Sequence, residues 1–369
     1  MTKAPKTVRC WAEIDLAALR HNARVARRRA GPKAALLAVV KANAYGHGLN
    51  AVVEALRDEA GIFGVANLDE AMETRAVLPH PVMVLGPALP EERAAMVEHG
   101  FIPSISSFAE AQEFSRLARG SAVSVNCAID TGMGRMGLEE SAATAELSRI
   151  AALPNLTVHS VSTHLPSADE DENYTREQLE RFAVNVGELR RAMPGDYRVH
   201  VLPSAGVLAF ADSAYDIVRA GLMLYGASPN PQFQSLLQPV MTLKTRVALL
   251  REVAAGASVS YGRTFFAPHT MRVATLSAGY ADGIPRSLSN RDAAVLIGGR
   301  RCPLLGRVTM DLTMVDVTEV TGVALGDEAV LIGRQGSEEI FAAEVAERAG
   351  TIAWEVFTGI GSRAARVYG

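Results

Sequence analysis

Short apolar runs alternate with longer amphipathic segments between residues 34 and 225, and that alternation sets the expected architecture. The candidate strands are 36–42 (LLAVVKA), 62–67 (IFGVAN), 82–86 (VMVLG), 101–106 (FIPSIS), 123–129 (VSVNCAI), 157–163 (TVHSVST), 198–203 (RVHVLP) and 216–224 (DIVRAGLML). Helical candidates such as 69–78, 107–118 and 173–193 fill the spaces between them. About eight strands, each followed by a helix over roughly 200 residues, is the count of a (β/α)8 barrel. A doubly wound open sheet would need fewer strands and would usually carry a GxGxxG turn after the first, which is absent. After about Pro239 the pattern changes. Residues 242–253, 271–277, 293–299, 313–320 and 328–333 alternate apolar and polar positions, with Gly- and Asp-containing turns between them. This predicts an antiparallel β domain interrupted by one helix over 340–350. The expected fold is α/β: a barrel over 1–239, then a C-terminal antiparallel β domain over 240–369, with no long linker to hold them apart.

Lys41 carries the most informative chemistry. It follows the apolar run 34–40 (AALLAVV), where a buried strand reaches its carboxyl end and where catalytic groups collect in parallel α/β architectures. Burial penalises an ammonium and lowers its pKa, so such a lysine can serve as nucleophile, proton carrier or Schiff-base partner. Tyr45, Gly46, His47 and Gly48 follow, and suit a loop whose backbone approaches a ligand closely. On spacing alone, a lysine snorkelling from a strand end into solvent accounts for Lys41 equally well.

Composition narrows the partners. With 369 residues, 49% hydrophobic and 21% charged, the chain can bury two cores. A net charge of -3 and a pI near 6.3 give no support to nucleic-acid binding. The one basic run, 24–29 (RVARRR), reads as a solvated helix face. Cys10, Cys127 and Cys302 are too scattered for a disulfide framework or a metal pair, which fits a reducing cytoplasm. The N-terminal stretch lacks the apolar core of a signal peptide, and no apolar run nears the ~20 residues needed to cross a bilayer. A soluble cytoplasmic protein, with no membrane partner and no bound metal, is expected.

The sequence also resembles the alanine racemases, pyridoxal-phosphate enzymes that hold their cofactor on a lysine. The likeness rests on VVKANAYGHG (39–48), WAEIDLAALRHN (11–22), DTGMGRMG (130–137), STHLPSAD (162–169), VRAGLMLYG (218–226), SYGRTF (260–265), GYADGIPR (279–286) and GRVTMD (306–311), which follow that family's order across nearly the whole chain. It implies pyridoxal 5'-phosphate on Lys41. Racemisation removes the Cα proton from one face and returns it on the other, so two acid/base groups must flank the cofactor. The resemblance gives one face to Lys41 and the other to Tyr261, supplied by the partner subunit of a homodimer with shared active sites. It implies phosphate contacts from Tyr45, Ser204 and the backbone of Gly221 and Leu222, and packing of His164 against the cofactor ring. Arg219 would face the pyridine nitrogen. Arginine does not give up its proton, so that nitrogen would stay unprotonated and the ring would be a weaker electron sink, which suits clean proton exchange.

On the substrate side the resemblance implies Arg135 for the carboxylate, Met310 and Asp311 from the other subunit, and Tyr280 with Arg286 at a narrow entrance. Three positions depart from the family pattern. Ala128 stands where many members have a carbamylated lysine, Pro203 where an asparagine is usual, and Trp354 where a tyrosine usually donates to the phosphate. An indole N–H can still donate one hydrogen bond. The missing carbamate leaves an anion position beside Arg135, and a buried arginine left unpaired is costly. A small anion, chloride first, is therefore expected there, with Asn126 or a water as the lesser alternative and Asp130 only if the strand persists that far. The expected activity is interconversion of L- and D-alanine. A broader amino-acid racemase or a related pyridoxal-phosphate enzyme of the same fold is the alternative, and a cofactor-binding regulator without turnover is a third reading.

Overall fold

The computed structural model describes residues 7–369. The first six residues, part of the stretch read above for a targeting signal, lie outside the described residues. Eight parallel strands form a closed barrel: Ala35–Val39, Ile62–Val65, Val82–Val84, Ile102–Ile105, Val123–Asp130, Leu156–Ser162, Arg198–His200 and Ile217–Ala220. The last pairs with the first through Ile217 opposite Ala35, and the fourth meets the fifth at Ser104 opposite Asn126. Each coincides with a predicted run, three of them (Ala35–Val39, Val123–Asp130 and Leu156–Ser162) extending one residue past its bounds. Barrel strands bury both faces, so they read as continuous apolar stretches rather than alternating ones; Leu36, Leu37 and Ala38 are all buried.

The second sheet is built around Met241–Val253. Its buried and half-buried positions alternate from Met241 to Val247, the period of a strand with one face on a core. It pairs antiparallel with Met271–Leu276 and Glu328–Gln335, as the sequence pattern predicts. One element differs from the expected division of the chain. Cys10–Ile14 pairs antiparallel with Met241–Val253 and parallel with the last strand, Ala365–Tyr368. The second sheet thus begins before the barrel does, and it is not wholly antiparallel. Burial explains the placement, since Cys10, Trp11, Ala12 and Ile14 are all covered in this sheet.

The chain then enters the barrel through the helix Leu16–Ala30, capped by Asp15, whose carboxylate accepts from the N–H groups of Ala17 and Ala18. Asn22 on this helix donates to the carbonyls of Leu224 (3.0 Å) and Gln238 (2.8 Å), at the passage from barrel to second domain. Most of the basic run on the same helix is the exposed face expected: Arg24, Arg27 and Arg28 are exposed, the first two pairing with Glu59 at 2.6 and 3.0 Å. Arg29 is half-buried and donates to the carbonyls of Val207 and Leu208 in the short helix Ser204–Ala209, so it braces a segment at the carboxyl end of the barrel.

Candidate active site

Lys41, Tyr45, Ala128, Arg135, His164, Ser204, Arg219, Gly221, Leu222 and Trp354 all line one cavity of about 840 Å³ at the carboxyl ends of the barrel strands. The first strand ends at Val39, and its chain does not continue as an ordinary helix. Ala42, Asn43, Ala44 and Tyr45 have φ values of 53°, 53°, 52° and 53°, a left-handed turn that L-residues rarely adopt. Several contacts hold it. The Glu70 carboxylate accepts from the N–H of Ala42 (2.7 Å), and Asn43 Oδ1 accepts from Leu49 N–H (2.8 Å). Buried His47 places Nδ1 at 3.1 Å from the Ala44 carbonyl and 2.9 Å from that of Tyr45. From the last strand, Arg366 donates to the Gly46 carbonyl through Nε (2.9 Å) and Nη2 (2.8 Å). The Tyr45 ring stacks on Tyr225 at 4.7 Å. The turn faces Lys41 and Tyr45 into the cavity.

Arg219, on the eighth strand, is only 7% exposed. Its guanidinium donates through Nη1 to His200 Nδ1 (2.6 Å) and through Nη2 to the carbonyls of Thr163 (2.7 Å) and Val201 (2.9 Å), with His164 Nδ1 3.2 Å from the same Nη2. Ser204 Oγ accepts from the N–H groups of Gly221 (2.9 Å) and Met223 (3.3 Å), which folds the loop after the eighth strand against the helix at Ser204. A side chain at Gly221 would have to displace Tyr45. A Cβ on it would stand 2.5 Å from the Tyr45 hydroxyl.

Lys41, Arg135 and Arg219 concentrate positive charge on this cavity. Burial, then the Arg135 charge, lowers the Lys41 pKa, while Glu70 opposes the fall. Burial, then Arg135, lowers Arg219 to about 10, which still leaves it protonated at neutral pH. His164 is pushed down to about 3 by burial and by Arg219, so it is a neutral ring that can accept from the guanidinium. A cavity of this kind suits an anionic ligand, with backbone N–H groups and hydroxyls for a phosphate and a depressed lysine amine for a carbonyl.

Tyr261, Tyr280, Met310 and Asp311 do not line the cavity. They belong to the second domain and form another group. Tyr261 sits in a turn, 71% exposed, and Met310 is 53% exposed. Ser260 Oγ donates to the Arg307 carbonyl at 2.6 Å, tying that turn to the loop that carries Met310. Tyr280 N–H donates to the Thr309 carbonyl (3.0 Å), and Asp311 pairs with Arg363 (2.9 Å). Within one chain, then, the expected residues fall into two clusters, a cavity and an exposed patch.

Both domains match known families: residues 14–229 the alanine racemase N-terminal domain, and residues 240–368 the alanine racemase C-terminal domain. The chain belongs to the alanine racemase family. An alanine racemase of Symbiobacterium thermophilum is 43% identical over 366 residues, covering 97% of this chain and 97% of the relative. The alanine racemase from D-cycloserine-producing Streptomyces lavendulae superposes with a TM-score of 0.91 at 36% identity, covering 99% of this chain and 98% of that one. The Bartonella henselae alanine racemase, solved with covalently bound pyridoxal phosphate, gives 0.88 at 28% identity over 98% of this chain and 99% of that one.

Against this alanine racemase scaffold, two expectations about Arg135 change. Its side chain is exposed in the single chain rather than buried. Asp130 is not its partner, because that carboxylate accepts from the N–H groups of Gly132, Met133 and Gly134. The sequence reading missed His200. The signal was present in 198–203, where a histidine falls on an inward-facing position of the seventh strand.

Proposed function

We propose that this chain interconverts L- and D-alanine in a homodimer, each site pairing the Lys41 cavity of one protomer with the Tyr261 patch of the other. The observation that carries the reading is the joint placement of Lys41, Arg219 and the Ser204–Gly221 cradle on one cationic cavity. Those residues fit pyridoxal phosphate. Ser204, Gly221, Leu222, Tyr45 and Trp354 would hold its phosphate, His164 and Arg219 its ring. When bound, the cofactor draws electrons from an amino acid's Cα and so acidifies the Cα–H.

The chain's own groups do the rest. Lys41 Nζ, its proton affinity lowered by burial and Arg135, anchors the cofactor and moves the proton on one face. Tyr261 Oη moves it on the other. Arg219 keeps its proton, so a pyridine nitrogen held against it would carry none of its own. Arg135 binds the substrate carboxylate, with Met310 and Asp311 of the second protomer beside it and Tyr280 at the entrance. The exposure of Tyr261 and Met310 supports the dimer, because residues that serve a buried reaction do not work in open solvent. A small anion, chloride first, fills the place beside Arg135 that Ala128 leaves open; the Asn126 amide is already committed to Ser104, Ser160 and His200. The free, buried thiols of Cys10, Cys127 and Cys302 support a cytoplasmic location. No helix among the described residues is long and apolar enough to cross a membrane.

Incubating the purified protein with L-alanine in deuterated water tests the reading. D-alanine carrying deuterium at Cα is expected. Exchange and inversion of several other amino acids alongside alanine would favour the broader racemase, and no exchange with any amino acid would favour the regulator.

A further inference from the structure

A chain of buried polar groups leads away from Arg219, across the barrel, to residues that the proposed reaction does not use. His200 on the seventh strand, Ser160 on the sixth, Asn126 on the fifth and Ser104 on the fourth are all at most 2% exposed. His200 Nε2 lies 3.1 Å from Asn126 Oδ1. Ser160 Oγ donates to the same Oδ1 at 2.9 Å, and Asn126 Nδ2 donates to Ser104 Oγ at 3.1 Å.

Donor and acceptor rules fix the protons in this chain. A guanidinium only donates, so His200 Nδ1, 2.6 Å from Arg219, must carry its lone pair. The ring proton therefore sits on Nε2 and needs an acceptor. Asn126 Oδ1 is the nearer one at 3.1 Å, with Ser160 Oγ next at 3.3 Å, and Asn126 serves only if its oxygen, not its nitrogen, faces the ring. The ring N–H sets that orientation, because a hydroxyl can donate or accept; Ser104 then accepts from Nδ2 and Ser160 donates to Oδ1. If the amide turned over, two N–H donors would meet and the buried ring N–H would keep only the longer contact to Ser160.

We propose that Asn126 is a positioning residue: it accepts from the Nε2–H that Arg219 imposes on His200, holds that ring in place and so aims the Arg219 guanidinium into the cavity. The catalytic part rests on the racemase reading above; the proton assignment does not. Burial and the Arg219 charge both hold the His200 pKa well below its ordinary value, in keeping with a neutral ring at this place.

The test uses purified protein labelled with 15N-histidine, with His200→Gln to identify the His200 signals. Wild type is expected to give a single neutral ring with the proton on Nε2. Asn126→Leu removes the acceptor at similar volume. Its His200 should keep the proton on Nε2, which Arg219 dictates. Without the Asn126 acceptor, however, the Nε2–H resonance should shift and its proton should exchange faster with solvent, and kcat should fall about tenfold with KM nearly unchanged, the size of one lost hydrogen bond to a buried donor. Asn126→Asp keeps an acceptor toward His200 and should restore the Nε2–H resonance and most of kcat. If Asn126→Leu does not fold, Asn126→Ala withdraws the same acceptor and is read the same way. An Nδ1–H ring in wild type, or an Nε2–H resonance and kcat unchanged in the Asn126 variant, would overturn the proposal. Because the histidine signals need no turnover, failure to racemise alanine cannot be mistaken for failure of the positioning chain.

Discussion

Replacing Ala42 by glycine is expected to stabilise this protein, the opposite of what glycine does inside an ordinary helix. Ala42 lies in the left-handed turn after Lys41 with φ 53° and ψ 54°. For an L-residue that conformation costs roughly 1–2 kcal/mol, because Cβ crowds the following carbonyl oxygen. Glycine is free of that cost but loses ~0.4–1 kcal/mol through the greater freedom it gives the unfolded chain. The Ala42 side chain is exposed, so its methyl contributes little burial. The balance favours Ala42→Gly by about 0.5–1 kcal/mol. Ala44→Gly is the internal control. Its backbone gain is the same at φ 52°, but its methyl is fully buried and worth about 0.8 kcal/mol, which should bring the net change near zero. Guanidinium unfolding followed by circular dichroism reads both variants through the midpoint at constant slope. Destabilisation of Ala42→Gly by about 1 kcal/mol, the usual glycine cost in a right-handed helix, would refute the argument.

Other expectations follow from the same geometry. Tyr261→Phe should keep the cofactor and let Lys41 exchange the Cα proton of one enantiomer, while interconversion drops by about 10²–10⁴-fold; equal exchange of both enantiomers would place another group on the second face. Lys41→Ala should lose the yellow of the lysine-bound cofactor and the activity together, and near-normal racemisation would remove Lys41 from its role. Acid should destabilise the fold early. Burial pushes His47 down to about 4 and holds His200 low, so as pH falls below about 6.5 the unfolded chain binds protons that the folded chain refuses, costing up to ~1.4 kcal/mol per pH unit for each ring. Unfolding midpoints that stay flat between pH 6.5 and about 5 would contradict this. Activity should rise with added chloride if an anion sits beside Arg135, and kinetics indifferent to halide would count against it.

Much of the fold is legible in the sequence because a parallel barrel imposes a strong pattern. Its strands bury both faces, so each stands out as an apolar run between polar helices. The long strand Met241–Val253 is equally legible through its alternation. Cys10–Ile14 is not, since five residues carry too little pattern and their partners lie more than 200 positions away, at Met241–Val253 and Ala365–Tyr368. The left-handed turn is hidden for another reason. Alanine does not announce positive φ, and besides neighbouring His47 the contacts that hold the turn come from Glu70 and Arg366, far along the chain. Arg24, Arg27 and Arg28 read correctly as an exposed face, but Arg29 does not, because a sequence does not reveal that the carbonyls of Val207 and Leu208 stand opposite it. For the site, residues inside distinctive motifs were readable one by one. His200 and Asn126 were not, because a lone polar residue in an apolar strand gains meaning only when the barrel closes and brings four strands together.

Mixing two inactive proteins tests the shared site most directly. Lys41→Ala chains retain Tyr261, and Tyr261→Phe chains retain Lys41, so a mixed dimer holds one site with both groups intact. Random reassortment of a symmetric dimer makes about a quarter of all sites complete. Racemisation should therefore return to about that fraction of the wild-type rate once the chains have exchanged partners. If exchange is verified by mass and activity stays at the level of the separate variants, Lys41 and Tyr261 do not serve one site across two subunits.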